Sequence, residues 1–548
     1  YDLMSDTPSL ADEDTGNFAT LNPNDKKSTL TLSEGNLRAT GANASYNNAY
    51  STMQVPKDTK IYFEATVVNS LGGGNNLAFY LDSVIDWSRV GSPSGAYGVD
   101  FGVTSTYYTY LNGTSTNTGV SISNGDTVQM AIDQANGKMW IGVNNTWFSS
   151  GNPSAGTNSI ATISTTTDYY IRALCYNSGS IAFNFGQRPF KYTPPTGYKK
   201  LNTFNLPDSS ITDGSQYMNT VTYTGNGSAQ SITGVGFSPD FVWLKNRSIA
   251  QIHGLFDSVR GAGKLLSTNN TSAEISGAPG VSSFNSDGFE LGNVLNNNTN
   301  AFVAWNWRGS DSTAVSNTDG TITSTVSANS TSGFSVVTYA GAGTSAGTVG
   351  HGLGVAPKVV IAKSRDSARN WAVYHASLGI NYLTELNTTS GAINIANYWG
   401  STSPTSEIFG VYTGNNFGNN NYLNEAMVAY CFAEVEGFSK FGSYTGNGST
   451  DGPFVYTGFR PAFIMFKRTD AVVGWEMYDT ARDTYNPYGL VLSPNSSGAE
   501  ADVRSGYPAD MLSNGFKLRH TGGAVNANGG TYIYMAFAEN PFKNSLAR

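Results

Sequence analysis

Residues 236–247 read Gly236-Phe237-Ser238-Pro239-Asp240-Phe241-Val242-Trp243-Leu244-Lys245-Asn246-Arg247, a glycine and proline bend followed by an apolar run that closes with basic residues. Versions of it return at Gly354-Val355-Ala356-Pro357-Lys358-Val359-Val360-Ile361-Ala362-Lys363-Ser364-Arg365 and at Gly458-Phe459-Arg460-Pro461-Ala462-Phe463-Ile464-Met465-Phe466-Lys467-Arg468. An apolar run of about five residues suits a strand buried on both faces, whereas a helix needs roughly 10 to 12 residues. The sequence therefore predicts three copies of one β-rich unit.

The flanking residues extend the repetition over whole domains. A Tyr-x-Gly-x-Gly turn precedes each bend, starting at Tyr223, Tyr339 and Tyr444, and an apolar aromatic strand closes each copy, at 302–307, 427–432 and 533–537. Copies of over a hundred residues can each bury a core, so we expect tandem sandwich-like domains that unfold with some independence. The predicted repeats are 217–310, 333–436 and 437–548. The predicted linkers are 193–216 and 311–332, the second a flexible link because 311–329 is nearly all Ser, Thr, Gly and Asp.

The composition restricts the classes of function. Charged residues make up 13% of the chain, so Asn, Ser, Thr and Gly supply the polar surface, which is typical of extracellular or virion β-proteins. The net charge of −8 argues against nucleic-acid binding, because phosphate contacts need a basic face. No run approaches the roughly 20 apolar residues of a membrane span, so we expect no membrane insertion.

The two cysteines, Cys175 and Cys431, lie in apolar strand-like runs of different domains. We expect buried free thiols rather than a disulfide, which leaves the redox compartment open. The chain begins with Tyr1 rather than Met, from which we infer that it is part of a longer polypeptide.

The N-terminal region differs from the repeats. After an extended lead-in over 1–27, short alternating runs are broken by Gly and Asn, and 127–133 meets 137–144 in a hairpin whose Asn136-Gly137 supplies a left-handed backbone. With the closing Phe183-Asn184-Phe185-Gly186-Gln187-Arg188-Pro189-Phe190, residues 28–192 resemble a SPRY domain. The resemblance implies a bent two-sheet sandwich that binds partners through variable loops without catalysis. Loops 72–76 and 112–119 are rich in Gly, Ser, Thr and Asn, so the family's partners do not carry over.

The repeats, over 217–540, resemble β-domains found downstream of SPRY-like segments in tail-fibre and other virion proteins of phages, particularly marine phages. This resemblance implies a virion location, a homotrimer and contacts with other virion proteins.

One charged pattern recurs in the first and third copies. Asp257 stands three residues before Arg260, and Asp479 three residues before Arg482. The second copy has His375 and Leu378 at these positions, which weakens the alternative of a ligand site needed in every unit. We expect structural ion pairs within one turn.

Catalytic and metal-binding patterns are weak. The four histidines lack ligand spacing for zinc, no Gly-x-Ser-x-Gly elbow is present and no calcium-loop run occurs, so we expect no metal and no cofactor. Two carboxylates could serve a glycosidase, but nothing selects a pair. The candidate carboxylates are Asp257, Glu274, Glu290, Asp479 and Glu500.

Aromatic residues beside polar loops are the better lead, since Tyr and Trp stack on sugar faces and dominate binding energy. The candidate ligand-binding residues are Tyr107, Tyr108, Tyr110, Trp147, Tyr398 and Trp399. The tryptophans within the repeated strands are expected in the core; these are Trp243, Trp305, Trp307 and Trp475.

The sequence thus predicts an all-β chain and a non-enzymatic virion protein, a tail-fibre or receptor-binding component that attaches to a bacterial envelope glycan or protein. Two alternatives stay open: a self-assembling virion or cell-surface filament component, and a polysaccharide depolymerase.

Overall fold

Antiparallel β-sheet makes up both units into which the chain of this computed structural model divides, residues 1–208 and 209–548. Helical structure in the described residues is limited to four 3-10 turns, Phe148–Ser150, Thr203–Asn205, Gly214–Gln216 and Phe542–Asn544. The predicted all-β class is therefore confirmed. The structure describes residues 13–14, 16–42, 46–69, 77–83, 94–101, 107–117, 122–277, 280–310, 312–343, 347–412 and 420–544.

The N-terminal unit contains two sheets that pack face to face. The Phe79 ring on one sheet lies 5.8 Å from that of Phe63 and 6.0 Å from that of Phe183 on the other. The predicted two-sheet sandwich is present. Its strands are β1 (Leu21–Lys26), β2 (Thr31–Ser33), β3 (Arg38–Thr40), β4 (Tyr46–Gln54), β5 (Ile61–Asn69), β6 (Leu77–Asp82), β7 (Ala96–Phe101), β8 (Tyr107–Leu111), β9 (Thr114–Asn117), β10 (Thr127–Asp133), β11 (Lys138–Val143), β12 (Thr146–Trp147), β13 (Ala161–Thr162), β14 (Tyr170–Tyr176) and β15 (Ser180–Asn184).

One sheet has the order β1-β4-β14-β6-β7-β8-β9, and the other β12-β11-β10-β5-β15-β3-β2 with β13 beside β11. The predicted hairpin joins β10 to β11, where Asp133 pairs with Lys138 and Gly137 takes a φ of +63°. The lead-in expected over 1–27 needs a correction, because β1 pairs with β4 and belongs to the sandwich.

In the second unit each repeat pairs the strand of its repeated glycine and proline stretch (236–247, 354–365 or 458–468) with its closing aromatic strand. The first-repeat sheet has the order β16 (Met218–Thr224), β24 (Ala301–Trp307), β18 (Phe241–Asn246), β19 (Gly254–Asp257). The third-repeat sheet has the order β35 (Ser439–Thr445), β43 (Thr531–Pro541), β37 (Phe459–Arg468), β38 (Trp475–Asp479). The second extends the same pattern to eight strands, in the order β25 (Val315–Asn317), β26 (Ser324–Asn329), β27 (Phe334–Ala340), β34 (Ala426–Phe432), β29 (Val359–Ser364), β30 (Ala372–His375), β31 (Tyr382–Glu385), β32 (Ile393–Asn394). All residues of the quoted strands β18 and β29 are buried, as predicted for strands covered on both faces.

The strands of the first repeat are β16 (Met218–Thr224), β17 (Gln230–Ile232), β18 (Phe241–Asn246), β19 (Gly254–Asp257), β20 (Lys264–Leu265), β21 (Ile275–Ser276), β22 (Val281–Asn285), β23 (Gly288–Leu291) and β24 (Ala301–Trp307). Those that follow, through the second repeat, are β25 (Val315–Asn317), β26 (Ser324–Asn329), β27 (Phe334–Ala340), β28 (Gly347–Gly350), β29 (Val359–Ser364), β30 (Ala372–His375), β31 (Tyr382–Glu385), β32 (Ile393–Asn394), β33 (Ile408–Val411) and β34 (Ala426–Phe432). Those of the third are β35 (Ser439–Thr445), β36 (Phe454–Tyr456), β37 (Phe459–Arg468), β38 (Trp475–Asp479), β39 (Leu490–Val491), β40 (Ala501–Asp502), β41 (Ala509–Leu512), β42 (Gly515–Leu518) and β43 (Thr531–Pro541).

A single hydrophobic core joins the three repeats. The rings of Trp307, Phe432 and Phe537, one from each closing strand, lie 5.7–6.1 Å apart. The same cluster contains residues of all three repeats, including the four tryptophans expected in the core, each of which is at most 3% exposed. Repeats one and two keep further clusters of their own. The expectation of three separate cores is therefore wrong, because each repeat turns one sheet face toward the other two repeats.

The repeats also hold one another through buried lysines at the end of the quoted strands. Lys245 donates to the carbonyl of Ser497 in repeat three, Lys363 to that of Thr271 in repeat one, and Lys467 to that of Thr389 in repeat two, at 2.9, 3.1 and 3.1 Å. Burial lowers the pKa of each ammonium group to about 8. Each repeat therefore reaches into a different neighbour, and the three contacts close a ring.

The expectation of a flexible link over 311–332 is also wrong. Strands β25 and β26 lie in this segment, and β26 pairs with β27 along six residues. Short polar side chains are satisfied there by hydrogen bonds: the Ser327 hydroxyl donates to Asp240 and the Ser324 hydroxyl to the Gly350 carbonyl, both at 2.8 Å, while Val326 is buried. A segment rich in Ser and Thr thus becomes part of the sheet.

Candidate functional site

Trp147 lines an open groove of about 590 Å³ in the N-terminal unit. The groove lies between the β11–β12 hairpin with its following turn and the segment 193–196. No side chain along it carries a charge. Its lining residues are Asn145, Thr146, Trp147, Ser150, Gly151, Asn152, Pro153, Ser154, Thr193, Pro194, Pro195 and Thr196.

The hairpin that presents Trp147 turns on two asparagines. Val143 pairs with Thr146, and the two loop residues, Asn144 and Asn145, both have positive φ, 47° and 67°. Two left-handed residues define a type I′ turn, which matches the twist of the flanking strands and is favoured by Asn. The Asn144 amide fixes the turn further, because it accepts from the Thr127 N–H at 3.0 Å. Trp147 is therefore held on a rigid hairpin.

A buried hydrogen-bond network connects the two walls of the groove. The Asn145 N–H donates to the Gln129 carboxamide at 2.6 Å, which in turn donates to the Tyr62 hydroxyl at 2.9 Å. Tyr62 donates to Glu64 at 2.8 Å, and Glu64 accepts from the backbone N–H of Lys191 at 2.8 Å, just before the second wall. Burial raises the pKa of the Tyr62 phenol, so it stays a donor to Glu64. Both walls are thus positioned through one satisfied network.

The second wall is tied directly to the turn after Trp147. The Thr196 N–H donates to the Ser154 hydroxyl at 3.0 Å, and the Asn158 amide donates to the Ser150 carbonyl at 3.1 Å. Ser149 and Ser150 both have a φ of 53°, a left-handed conformation that is uncommon for Ser. Such backbone strain is kept where the surrounding contacts impose it, and it is frequent at ligand sites.

The groove combines one aromatic face with neutral donors and acceptors. Trp147 is half-buried, and within the described part of the chain its indole N–H has no hydrogen-bond acceptor. Amide and hydroxyl groups of Asn145, Asn152 and Ser150 lie along the same groove. An indole ring with hydroxyl and amide groups, and no charge, suits a neutral polyhydroxylated ligand.

The other predicted aromatic residues do not join this groove. Tyr398 and Trp399 are each 1% exposed, and the Trp399 indole donates to the Tyr382 carbonyl at 3.2 Å, so the expectation that these two rings are exposed is wrong. They fill the core of repeat two beside Tyr374, whose ring lies 5.8 Å from that of Trp399. Strand β8 contains Tyr107, Tyr108 and Tyr110, but their side chains lie outside the described residues, as does loop 72–76.

Both expected ion pairs are formed. Arg260 donates to Asp257, and Arg482 to Asp479, each at 2.5 Å between fully buried side chains. Each carboxylate also accepts a hydrogen bond from another repeat. Asp257 accepts from the Tyr430 hydroxyl of repeat two at 2.8 Å, and Asp479 accepts from the Trp305 indole N–H of repeat one at 2.9 Å. The pairs therefore lie at the contacts between repeats.

The remaining carboxylates of the glycosidase alternative are engaged as well. Glu274 bridges Arg260 of its own repeat and Arg365 of repeat two, at 3.0 and 2.8 Å. Glu500 bridges Arg482 and Arg247 in the same way, each at 2.8 Å, and Glu290 accepts from Asn285 at 3.2 Å. No cluster of three metal-ligating side chains occurs among the residues that the structure describes. Both cysteines are buried free thiols, as predicted.

Of the residues that line the groove, the sequence indicates only Trp147 as a ligand-binding residue. Asn145, Ser150 and Asn152 lie close to it in sequence, and a signal for them was the Asn144-Asn145 pair, which is favourable in a two-residue hairpin. The opposite wall lies in the segment that Pro194-Pro195 predicts to be a linker. Proline-rich segments restrict the backbone, so this pair also fits a fixed wall.

Comparison with known proteins gives one family match and several similar solved structures. A family described as a domain of unknown function, DUF7483, matches residues 213–541. Solved SPRY domains are similar over about 30% of the chain. The SPRY domain of human HERC1 is 12% identical, with 31% of this chain and 99% of that chain covered and a TM-score of 0.22. The TRIM65 PSpry domain is 10% identical, with 31% and 93% covered and a TM-score of 0.23. A human SPRY domain is 10% identical, with 29% and 98% covered and a TM-score of 0.23.

No curated protein matches the sequence. Among the described residues, no helix is long and apolar enough to cross a membrane.

Proposed function

The chain belongs to the DUF7483 family, a domain of unknown function, and we propose that it is a non-enzymatic phage virion protein that attaches to a bacterial envelope glycan through the groove around Trp147. In this proposal the N-terminal unit recognises the glycan, and the protein is a tail-fibre or other receptor-binding component outside the host cell. Its further partners are other virion proteins.

The observation that carries the proposal is the groove itself. It offers the Trp147 ring beside amide and hydroxyl groups, and none of its lining residues is charged. A sugar presents an apolar ring face and several hydroxyl groups, which match an indole and neutral hydrogen-bonding side chains. A nucleic acid or an anionic lipid would instead call for basic side chains.

Attachment through one such groove is expected to be weak, so the proposal includes several copies acting together. Linked sites gain avidity of about 10² to 10⁴ when geometry allows simultaneous contact. We propose a homotrimer, the usual state of the fibre proteins that the repeats resemble. The shared core of residues 209–548 forms within one chain, so it is not an argument for a trimer.

The test is binding of the purified chain to a panel of neutral polysaccharides isolated from bacterial envelopes, with reducing ends measured in the same samples. We expect saturable binding to at least one polysaccharide without release of reducing ends. Trp147→Ala is expected to weaken binding at least tenfold, because the aromatic anchor of a site commonly contributes 2 kcal/mol or more, about 30-fold.

A matched control removes an aromatic ring elsewhere. Tyr485 is 81% exposed and lies in the other unit, so Tyr485→Ala should leave binding unchanged. Equal binding by the wild type and Trp147→Ala would refute the groove, and release of reducing ends with turnover would support the depolymerase alternative instead.

A further inference from the structure

The outer edge of the first strand of each repeat differs among the three repeats in what covers it. The first strand of each repeat, β16, β27 or β35, pairs on one side with the closing strand β24, β34 or β43. On its other side β27 is covered by β26. In the described structure β16 and β35 are the terminal strands of their sheets.

The edge of β35 is partly capped by an acidic side chain. Glu434 accepts from the Phe441 N–H at 3.3 Å and pairs with Lys440 at 2.9 Å. A charge at an edge is a common protection against strand pairing. At the β16 edge the Gln230 amide donates to the Thr224 carbonyl at 3.2 Å, but the strand itself, Met218–Thr224, contains no charged residue and no proline.

The backbone of β16 presents its unused groups away from the sheet. The Tyr217 carbonyl accepts from the Arg308 N–H, and the Gly225 N–H donates to the Asn300 carbonyl, both at 2.9 Å. Because hydrogen-bonded and non-hydrogen-bonded residues alternate in an antiparallel pair, residues 219, 221 and 223 bond to β24. The backbone groups of Thr220 and Thr222 therefore point outward, and Thr222 is exposed.

A side chain at the same edge also lacks a partner. The Thr220 hydroxyl is buried, and no hydrogen-bond partner for it exists within the described residues. A buried hydroxyl without a partner is destabilising, so a neighbouring strand that brought it a hydrogen-bond partner would stabilise this edge.

The covered edge indicates what kind of strand fits. Phe334 of β27 pairs with Phe432 as Met218 of β16 pairs with Trp307, which makes Val336 and Thr338 the equivalents of Thr220 and Thr222. In repeat two these positions pair with Ser327 and Thr325 of the antiparallel strand β26, whose sequence is Ser-Thr-Val-Ser-Ala-Asn. The occupant of this edge is thus a neutral strand of small and β-branched residues.

Within the residues that the structure describes, the chain supplies no such strand to β16. The preceding residues form the 3-10 turn Gly214–Gln216, and Ile211 is buried in the shared core. We propose that β16 is a docking edge for an extended, neutral segment of a partner polypeptide, which adds as an antiparallel strand in the manner of β26. Main-chain hydrogen bonds would give the affinity, and the alternating small side chains the selectivity.

The test uses a fluorescently labelled synthetic peptide of residues 322–330, which contains β26, and the full chain. We expect saturable binding seen as increased anisotropy, together with slower hydrogen exchange of residues 218–224. Thr222→Pro should weaken binding at least tenfold, since it removes an outward N–H without removing a bond to β24. Thr222→Val keeps that N–H and should bind as the wild type does.

Two further controls keep the result specific. Ser443→Pro changes the equivalent position of β35 and should leave binding unchanged, and a peptide with Val326→Pro should not bind. No saturable binding at millimolar peptide, or equal binding by Thr222→Pro with its unfolding temperature preserved, would overturn the proposal. If Thr222→Pro loses its fold, unchanged exchange of residues 218–224 on adding peptide to the wild type overturns it. Self-association of the wild type that Thr222→Pro abolishes would overturn the partner assignment and make the occupant a second copy.

Discussion

Asp257 shows how one carboxylate can stabilise two repeats. It is fully buried and accepts hydrogen bonds from Arg260 and from Tyr430 of the neighbouring repeat. Asp257→Ala would leave the Arg260 charge buried without its main partner, and removing one member of a buried pair costs on the order of 3 to 5 kcal/mol. We expect a loss of that size in the free energy of unfolding measured with urea. The control Glu407→Ala, at an exposed carboxylate, should change it by less than about 0.5 kcal/mol. An unchanged stability of Asp257→Ala combined with lost glycan binding would favour a ligand role.

His375, at the position that Asp257 and Asp479 occupy in the other repeats, makes the second unit sensitive to acid. Its imidazole lies 3.1 Å from the Tyr534 carbonyl of repeat three, and burial lowers its pKa to about 4 from an ordinary value near 6.5. Between these values the unfolded chain binds a proton that the folded chain does not, so stability falls as the pH drops from about 6.5 toward 4. The loss approaches about 3 kcal/mol below pH 4. Urea unfolding at a series of pH values should show a smaller slope for His375→Asn than for the wild type, and an equal slope would contradict the assignment.

At the scale of elements, local patterns predicted the strands better than their surroundings. The apolar run of Phe241–Asn246 predicted a strand buried on both faces, which the structure confirms. Lys245, near the end of this run, donates a hydrogen bond to the Ser497 carbonyl of repeat three. The local sequence carried no information on that neighbour, because the carbonyl it meets lies in another repeat. The composition of β26 gave a wrong prediction. Its serines suggested a flexible link, but their hydroxyl groups are hydrogen-bonded within the folded unit. Composition failed again for Trp399, whose polar flanks suggested exposure although the ring fills a core. The sequence predicted only Trp147 of the groove, because the residues of the second wall, 193–196, are distant from it in sequence.

The lysines at the ends of the quoted strands give a prediction at the same scale. Lys363 is fully buried and donates to the carbonyls of Thr271, Ser364 and Ser367. Lys363→Met would leave these acceptors without a donor, at about 1–3 kcal/mol for each that stays unsatisfied. Thermal unfolding should therefore begin at a lower temperature in Lys363→Met. Lys358→Met, at an exposed lysine of the same repeat, should unfold as the wild type does.

At the scale of the whole molecule, the shared core predicts cooperative unfolding of the three repeats. Residues of all three contribute to one hydrophobic cluster, and the buried lysines link each repeat to another. We expect calorimetry of the full chain to show one transition for 209–548, with a calorimetric enthalpy close to the van't Hoff enthalpy. Separate transitions for the three repeats would mean that each core is sufficient by itself.

The proposed function rests on the groove, and staining of a panel of bacterial strains with the fluorescently labelled protein tests it. The predicted result is that a strain is stained, that its purified envelope glycan competes for the protein, and that Trp147→Ala fails to stain whereas Tyr485→Ala stains normally. Staining by Trp147→Ala at the wild-type level, or staining that no envelope glycan reduces, would contradict attachment through the groove.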